Sequence, residues 1–150
     1  MPNQISVKNE TVLLYTLAGI QFTHIMDFMI VFPLGPMFRR VLDISANEFG
    51  WLVSVYSFAA AISGLLAATF IDRYDRKRIV LTLYILFALA TLLCALAPNF
   101  WFLIVARGLA GVFGGVLGAM VQAFIGDCIP EQRRGRAMGV VMGAFSLSTI

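Results

Sequence analysis

Long apolar runs, broken at short intervals by polar clusters, set the pattern of this chain. A helix needs roughly 20 mainly apolar residues to cross the hydrocarbon of a bilayer. Four stretches reach that length, at about 12–38, 47–71, 79–97 and 99–127. A fifth begins near 135 and is still apolar at Ile150, in what would be mid-span. The pattern predicts an all-α polytopic membrane protein. Its 150 residues are expected to be an incomplete helical bundle, the N-terminal part of a longer protein. Local signals mark the breaks. Ser45 and Glu48 stand at capping-box spacing, a helix start. "APNF" at 97–100 reads as a tight, uncharged connection, and Pro130 with Glu131 reads as a helix restart.

Composition narrows the class. The chain is 60% hydrophobic and 13% charged. A soluble domain has to face water and cannot hide so much apolar surface, so lipid is the expected solvent for most of it. The net charge of +3 comes from basic residues in short loops between apolar runs, which gives no nucleic-acid patch. Cys94 and Cys128 are too few for a disulfide framework or a metal set. With no metal cluster, nucleophile constellation or phosphate cradle, the chain is expected to need no cofactor and to be no enzyme. "MPNQISVKNE" reads as a short polar tail before a retained first span.

Lysine and arginine in short loops orient a membrane protein. Arg73, Arg76, Lys77 and Arg78 lie between the second and third spans, and Arg133, Arg134 and Arg136 between the fourth and fifth. These loops share a side by parity, and Lys8 falls with them. Arg39 and Arg40 oppose them. The balance predicts a cytoplasmic N-terminus in a cell membrane, the inner one where there are two.

Residues 72–78 hold six charges in seven positions, of both signs. Acidic residues do little for orientation, so the interleaving asks for another reason. Residues 68–80, "ATFIDRYDRKRIV", resemble the signature that the major facilitator superfamily carries between its second and third helices, roughly G-x-L-a-D-R-x-G-R-K-x-x-L. Asp72, Arg73, Arg76 and Lys77 fall on its charged positions. Ala68 and Asp75 replace its glycines, and aspartate tolerates the left-handed turn that the second glycine serves. Residues 107–115, "RGLAGVFGG", resemble the intramembrane arginine and glycines of the family's fourth helix, with Ala110 in place of the usual polar residue. "PEQRRGRAMG" at 130–139 is similar to the family's entry into helix five. The resemblance covers essentially the whole chain. It implies transmembrane helices 1 to 4 and part of 5 of a twelve-helix-type fold, with the remaining half of the transporter as a partner. It also implies that Asp72, Arg76 and Asp127, with Arg73 and Lys77, form a cytoplasmic charge latch. The alternative for these residues is a topology anchor alone.

Within the spans, Asp27, His24 and Arg107 stand out. An aspartate or arginine at the membrane centre costs about 2.5–3.5 kcal/mol on the insertion scale and usually turns inward. Gln21, His24 and Asp27 recur every third residue and so share one helix face. Asp27 is the candidate proton carrier, because burial disfavours a charged carboxylate. His24, one turn earlier, is a candidate to tune it or relay its proton, or else to bond a backbone carbonyl. At ~1.5 Å per residue, Arg107 lies ~14 Å from the turn near Pro98 and Asp27 ~15 Å from Met37, which puts both at one depth and predicts an ion pair.

Gly111 with Gly115, Gly114 with Gly118, and Gly135, Gly139 and Gly143 have the four-residue spacing of close helix packing. Phe28, Phe32, Tyr56 and Phe58 either line an apolar pocket or face lipid and neighbouring helices. The resemblance to the drug:proton antiporter branch, which often has an acid in helix one, implies proton-coupled efflux of a small amphipathic molecule. Substrate, protons and the lipid bilayer are the expected partners, and nucleic acid is not. A sugar or polar-metabolite permease of the same superfamily is the alternative, and a non-transporting membrane interaction protein a further one.

Overall fold

The computed structural model describes residues 7–70 and 76–148. Within these residues six helices follow in order: α1 (Val7–Met29), α2 (Val31–Val41), α3 (Ala46–Phe70), α4 (Arg76–Ala95), α5 (Phe100–Cys128) and α6 (Glu131–Ser148). Among the described residues, four segments are long and apolar enough to span a bilayer: Val12–Val41, Ala46–Ala67, Lys77–Ala95 and Phe100–Asp127. The described part of α6 is not among them. Glu131, Arg133, Arg134 and Arg136 fill its first turns.

The first span differs from the single helix expected over 12–38. It is α1 and α2, separated at Ile30. Pro33 supplies the reason: it has no N–H to offer the Met29 carbonyl, and its ring crowds that oxygen. The ladder restarts with Leu34 N donating to Ile30 O at a long 3.4 Å. α2 then ends in a left-handed cap. Asp43 has φ 50°, and Ile44 N donates back to Arg39 O at 3.2 Å, the bond of a Schellman motif. Arg39 and Arg40 occupy the last turn of α2, where cations complement the helix dipole. That gives the two dissenters from the orientation rule a local role.

α3 and α5 begin where side chains satisfy free N–H groups. Ser45 and Glu48 form the reciprocal box, with Ser45 N donating to Glu48 Oε2 at 2.8 Å and Glu48 N donating to Ser45 Oγ at 3.2 Å. Asn99 caps α5 by accepting from Phe102 N at 2.9 Å. The Pro130 carbonyl accepts from Arg133 N and Arg134 N at the start of α6.

α5 is the axis of the bundle and contributes to every buried cluster. Val121 and Ile125 pack with Leu17 of α1 and Ala137 and Val141 of α6. Ala110 and Leu117 pack with Tyr56 of α3 and with Phe87 and Ala90 of α4. Leu103 meets Val31 and Leu52 in the half that holds α2, and Met120 meets Ala67. Two glycine edges let neighbours approach it. A Cβ on Gly111 would stand 2.5 Å from Tyr56 O, and one on Gly115 would collide with Ala60. Those two glycines therefore serve the contact with α3. A Cβ built on Gly135, Gly139 or Gly143, the other glycines expected to pack, meets no described atom within 4 Å. Outward faces carry exposed Trp51, Phe58, Leu65 and Trp101. Helices this apolar all round suit lipid, not water.

A buried ion pair at the break in the first span

Asp27 sits near the C-terminal end of α1 and Arg107 two turns into α5. Arg107 Nη1 donates to Asp27 Oδ2 at 2.9 Å, with both side chains almost fully buried, at 6% and 7% exposure. Arg107 Nη2 donates to the main-chain oxygen of Asp27 at 3.1 Å. Thr91 of α4 completes the carboxylate by donating to Oδ1 at 3.0 Å. Both carboxylate oxygens are thus satisfied from different helices, and the pair ties α1, α4 and α5 together. Its burial has a physical consequence: removing either charge strands the other in a low-dielectric interior.

The guanidinium carbon lies 5.4 Å from the centre of the Tyr56 ring, within cation–π range. Tyr56 packs on Phe28 at 5.3 Å and on His24 at 6.4 Å between ring centres. His24 lies against Gly114, where a Cβ would come within 2.6 Å of the imidazole and 2.9 Å of the Tyr56 hydroxyl. The second glycine edge of α5 therefore makes room for this histidine. His24 Nδ1 and Tyr56 Oη are both buried with no hydrogen-bond partner among the described residues. Gln21 is half-buried on the same helix.

On the side of α2 and α4 the ion pair borders a cavity of about 360 Å³. Leu34, Met37 and Phe38 of α2 line it, with Thr91 and Cys94 of α4 and Leu103 of α5. Of the four aromatics named as pocket candidates, Phe28 and Tyr56 border Arg107 on its other side. Phe58 is exposed and Phe32 half-exposed on outer faces.

Thr91 and the niche of Gly114 escaped the sequence reading. Thr91 is the last of three hydroxyl residues in the apolar run of α4, after Thr82 and Tyr84, and lies ~10 Å from the turn near Pro98 at ~1.5 Å per residue. The depth count that pairs Asp27 with Arg107 would have reached it. At the opposite end of the bundle, Lys77 opens α4 and Asp127 closes α5, both exposed. The antiparallel pairing of α4 and α5 puts them on one side of the membrane. Asp72, Arg73 and the side chain of Arg76 lie outside the described residues.

The sequence profile of the Major Facilitator Superfamily matches residues 17–150. "Multidrug resistance protein Stp" of Mycobacterium tuberculosis is 31% identical over 129 residues, 85% of this chain and 24% of that protein. "Putative metabolite transport protein YncC" of Bacillus subtilis is 40% identical over 95 residues, 63% of this chain and 20% of that protein. "Uncharacterized MFS-type transporter YwfA" of Bacillus subtilis is 28% identical over 99% of this chain and 36% of its own length. The chain thus spans about a third or less of these curated relatives. A crystal structure of a bacterial homologue of the human lysosomal transporter Spinster, inward-facing and occupied, superposes with a TM-score of 0.86 over 96% of this chain and 31% of that one. At 20% identity the likeness is one of fold.

Proposed function

The chain belongs to the major facilitator superfamily, and from that premise we propose that it supplies the leading helices of a secondary transporter exporting a small amphipathic molecule in exchange for protons. Membership makes it a multi-pass integral membrane protein of a transporter family, not of an enzyme family. The observation that carries the reading is the buried pair of Asp27 and Arg107 across α1 and α5. A buried carboxylate holds its charge only when its remaining lone pairs are satisfied. Here a hydroxyl of α4 reads the carboxylate as well, so its protonation state is felt by three helices at once.

The chemistry is an exchange of partners. Ionised Asp27 accepts from Arg107 and Thr91. When it takes a proton, the carboxyl loses its charge and gains an O–H donor, while Thr91 can reverse and accept. Arg107 then lacks an anion and is drawn toward another one or toward water. Such a pair has two charge states with different helix contacts, which is what coupling a proton to rocking of helices requires. His24, one turn earlier on α1 and close to Tyr56, is suited to pass protons toward Asp27.

The same reading gives the charged end of the bundle its role. Asp72, Arg73, Arg76, Lys77 and Asp127 form a cytoplasmic gate, supported by Lys77 and Asp127 standing on one side at the ends of α4 and α5. The excess of lysine and arginine in those loops favours a cytoplasmic N-terminus in the cell membrane. The export direction is supported by the likeness to a protein named for multidrug resistance. A polar-metabolite permease is the second reading, and the likeness to YncC, named as a putative metabolite transport protein, favours it.

The deciding experiment is substrate flux in proteoliposomes of the full-length protein under an imposed pH gradient. Asp27→Asn is expected to abolish gradient-driven accumulation while substrate still equilibrates. Accumulation at the wild-type level by Asp27→Asn would remove it as the proton carrier.

A further inference from the structure

The break in the first span and the ion pair meet at one atom, the main-chain oxygen of Asp27. In an unbroken helix it would accept from Val31 N. Among the described residues no main-chain N–H reaches it, and Ile30 interrupts the helix at that point. Arg107 Nη2 takes the place of the missing donor, at 3.1 Å. Its other nitrogen, Nη1, holds the carboxylate of the same residue. A side chain of α5 thus closes the C-terminal end of α1, where a cation also complements the helix dipole. Pro33 keeps the turn open, because no N–H at that position can reclaim the Met29 carbonyl.

We propose that Arg107 is a removable cap on α1, and that the charge of Asp27 thereby sets the angle of α2 to α1 through a hinge at Ile30 to Pro33. The inference rests on Asp27 exchanging protons, and adds the moving part. With Asp27 ionised, one guanidinium holds both the carboxylate and the carbonyl. Protonation weakens its hold on the first, and a buried cation without an anion is costly enough to shift it. The Asp27 carbonyl then loses its donor, and the Val31 N–H is the one placed by sequence to replace it. Rewinding that turn swings α2. The cavity beside Leu34, Met37 and Phe38 leaves α2 room to move. Among the described residues, the other titratable or charged groups facing the pair are Tyr56 on α3 and Cys94 on α4, with His24 one turn back on α1. None of them touches the Asp27 carbonyl, so the hinge responds to Asp27 itself.

The test is a distance. Spin labels on Met37→Cys of α2 and Leu96→Cys beyond α4, with Cys94 and Cys128 replaced by serine, are read by pulsed electron resonance in the full-length protein in nanodiscs. As the pH is stepped from alkaline to acid, the wild-type distribution is expected to move by several ångströms. Asp27→Asn should hold it at the low-pH position throughout. Pro33→Ala, which restores the N–H, should remove the movement with Asp27 intact. Hydrogen exchange of the 28–34 segment in the unmutated chain gives a readout free of any variant, with protection expected to rise at low pH. A distribution that still moves in Pro33→Ala, or exchange that ignores pH, overturns the hinge. A wild-type distance that stays fixed while Asp27→Asn loses gradient-driven accumulation removes the hinge and leaves the proton reading standing. Wild-type accumulation by Asp27→Asn removes both.

Discussion

Gly115 packs its backbone on Ala60, and a methyl there would meet main-chain atoms that cannot rotate away. Gly111 stands in the same relation to Tyr56 O. Overpacking of this kind typically costs ~1–3 kcal/mol. Gly115→Ala and Gly111→Ala are each expected to lower the thermal stability of the purified protein by an amount in that range. Gly139 meets no described atom, and glycine inside a helix is up to ~1 kcal/mol worse than alanine. Gly139→Ala is therefore expected to leave stability unchanged or raise it slightly. Equal loss in Gly139→Ala and Gly115→Ala would refute this division of the glycines. Spacing alone assigned both sets to packing. The spacing says that a smooth edge exists, and only the neighbouring backbone says whether anything lies against it.

At the scale of the helix, starts were legible and the break was not. The capping box of Ser45 and Glu48 involves residues three apart, so its bonds follow from local geometry. Ser45→Ala should cost about 1 kcal/mol, read as faster hydrogen exchange in the first turn of α3 with later turns unaffected. Uniform protection in Ser45→Ala and wild type would show the box to be idle. Asn99 does the same work for α5, and Asn99→Ala should behave likewise. The break at Ile30 had its cause in plain view at Pro33. A proline in a long apolar run can bend a helix gently or part it, and the choice depends on whether something else takes up the carbonyls of the parted turn. Here Pro33 frees the Met29 carbonyl, and a guanidinium from 80 residues away takes up that of Asp27, which no local pattern announces.

For the molecule as a whole, the proposed orientation and the proposed gate both rest on charge. Single-cysteine labelling from outside intact cells, with Cys94 and Cys128 replaced by serine, should reach Asp43→Cys and miss Asp75→Cys and Gln132→Cys. Strong labelling at position 75 would reverse the orientation and remove the cytoplasmic gate with it. Asp72→Asn is expected to slow transport severalfold with membrane insertion intact, because a gate biases one conformation without building the fold. Wild-type turnover in both Asp72→Asn and Arg76→Ala, measured on equal amounts of folded protein, would reduce the charged loop to an anchor.

The sequence by itself determined how many long apolar segments there are and where several of their helices start. It also set the depth at which Asp27 and Arg107 must lie, since rise per residue is the same in any helix. Tertiary structure decided what those charges meet. Thr91 joins the carboxylate because α4 stands beside α1, a contact spanning 64 residues. His24 fits under Tyr56 because Gly114 happens to face α1. The cavity lies where α2, α4 and the ion pair come together. Local bonds reach three or four residues along the chain and can be read from it. The placement of one helix against another is a sum over many weak apolar contacts, and it is that sum which turned two charges at one depth into a buried pair.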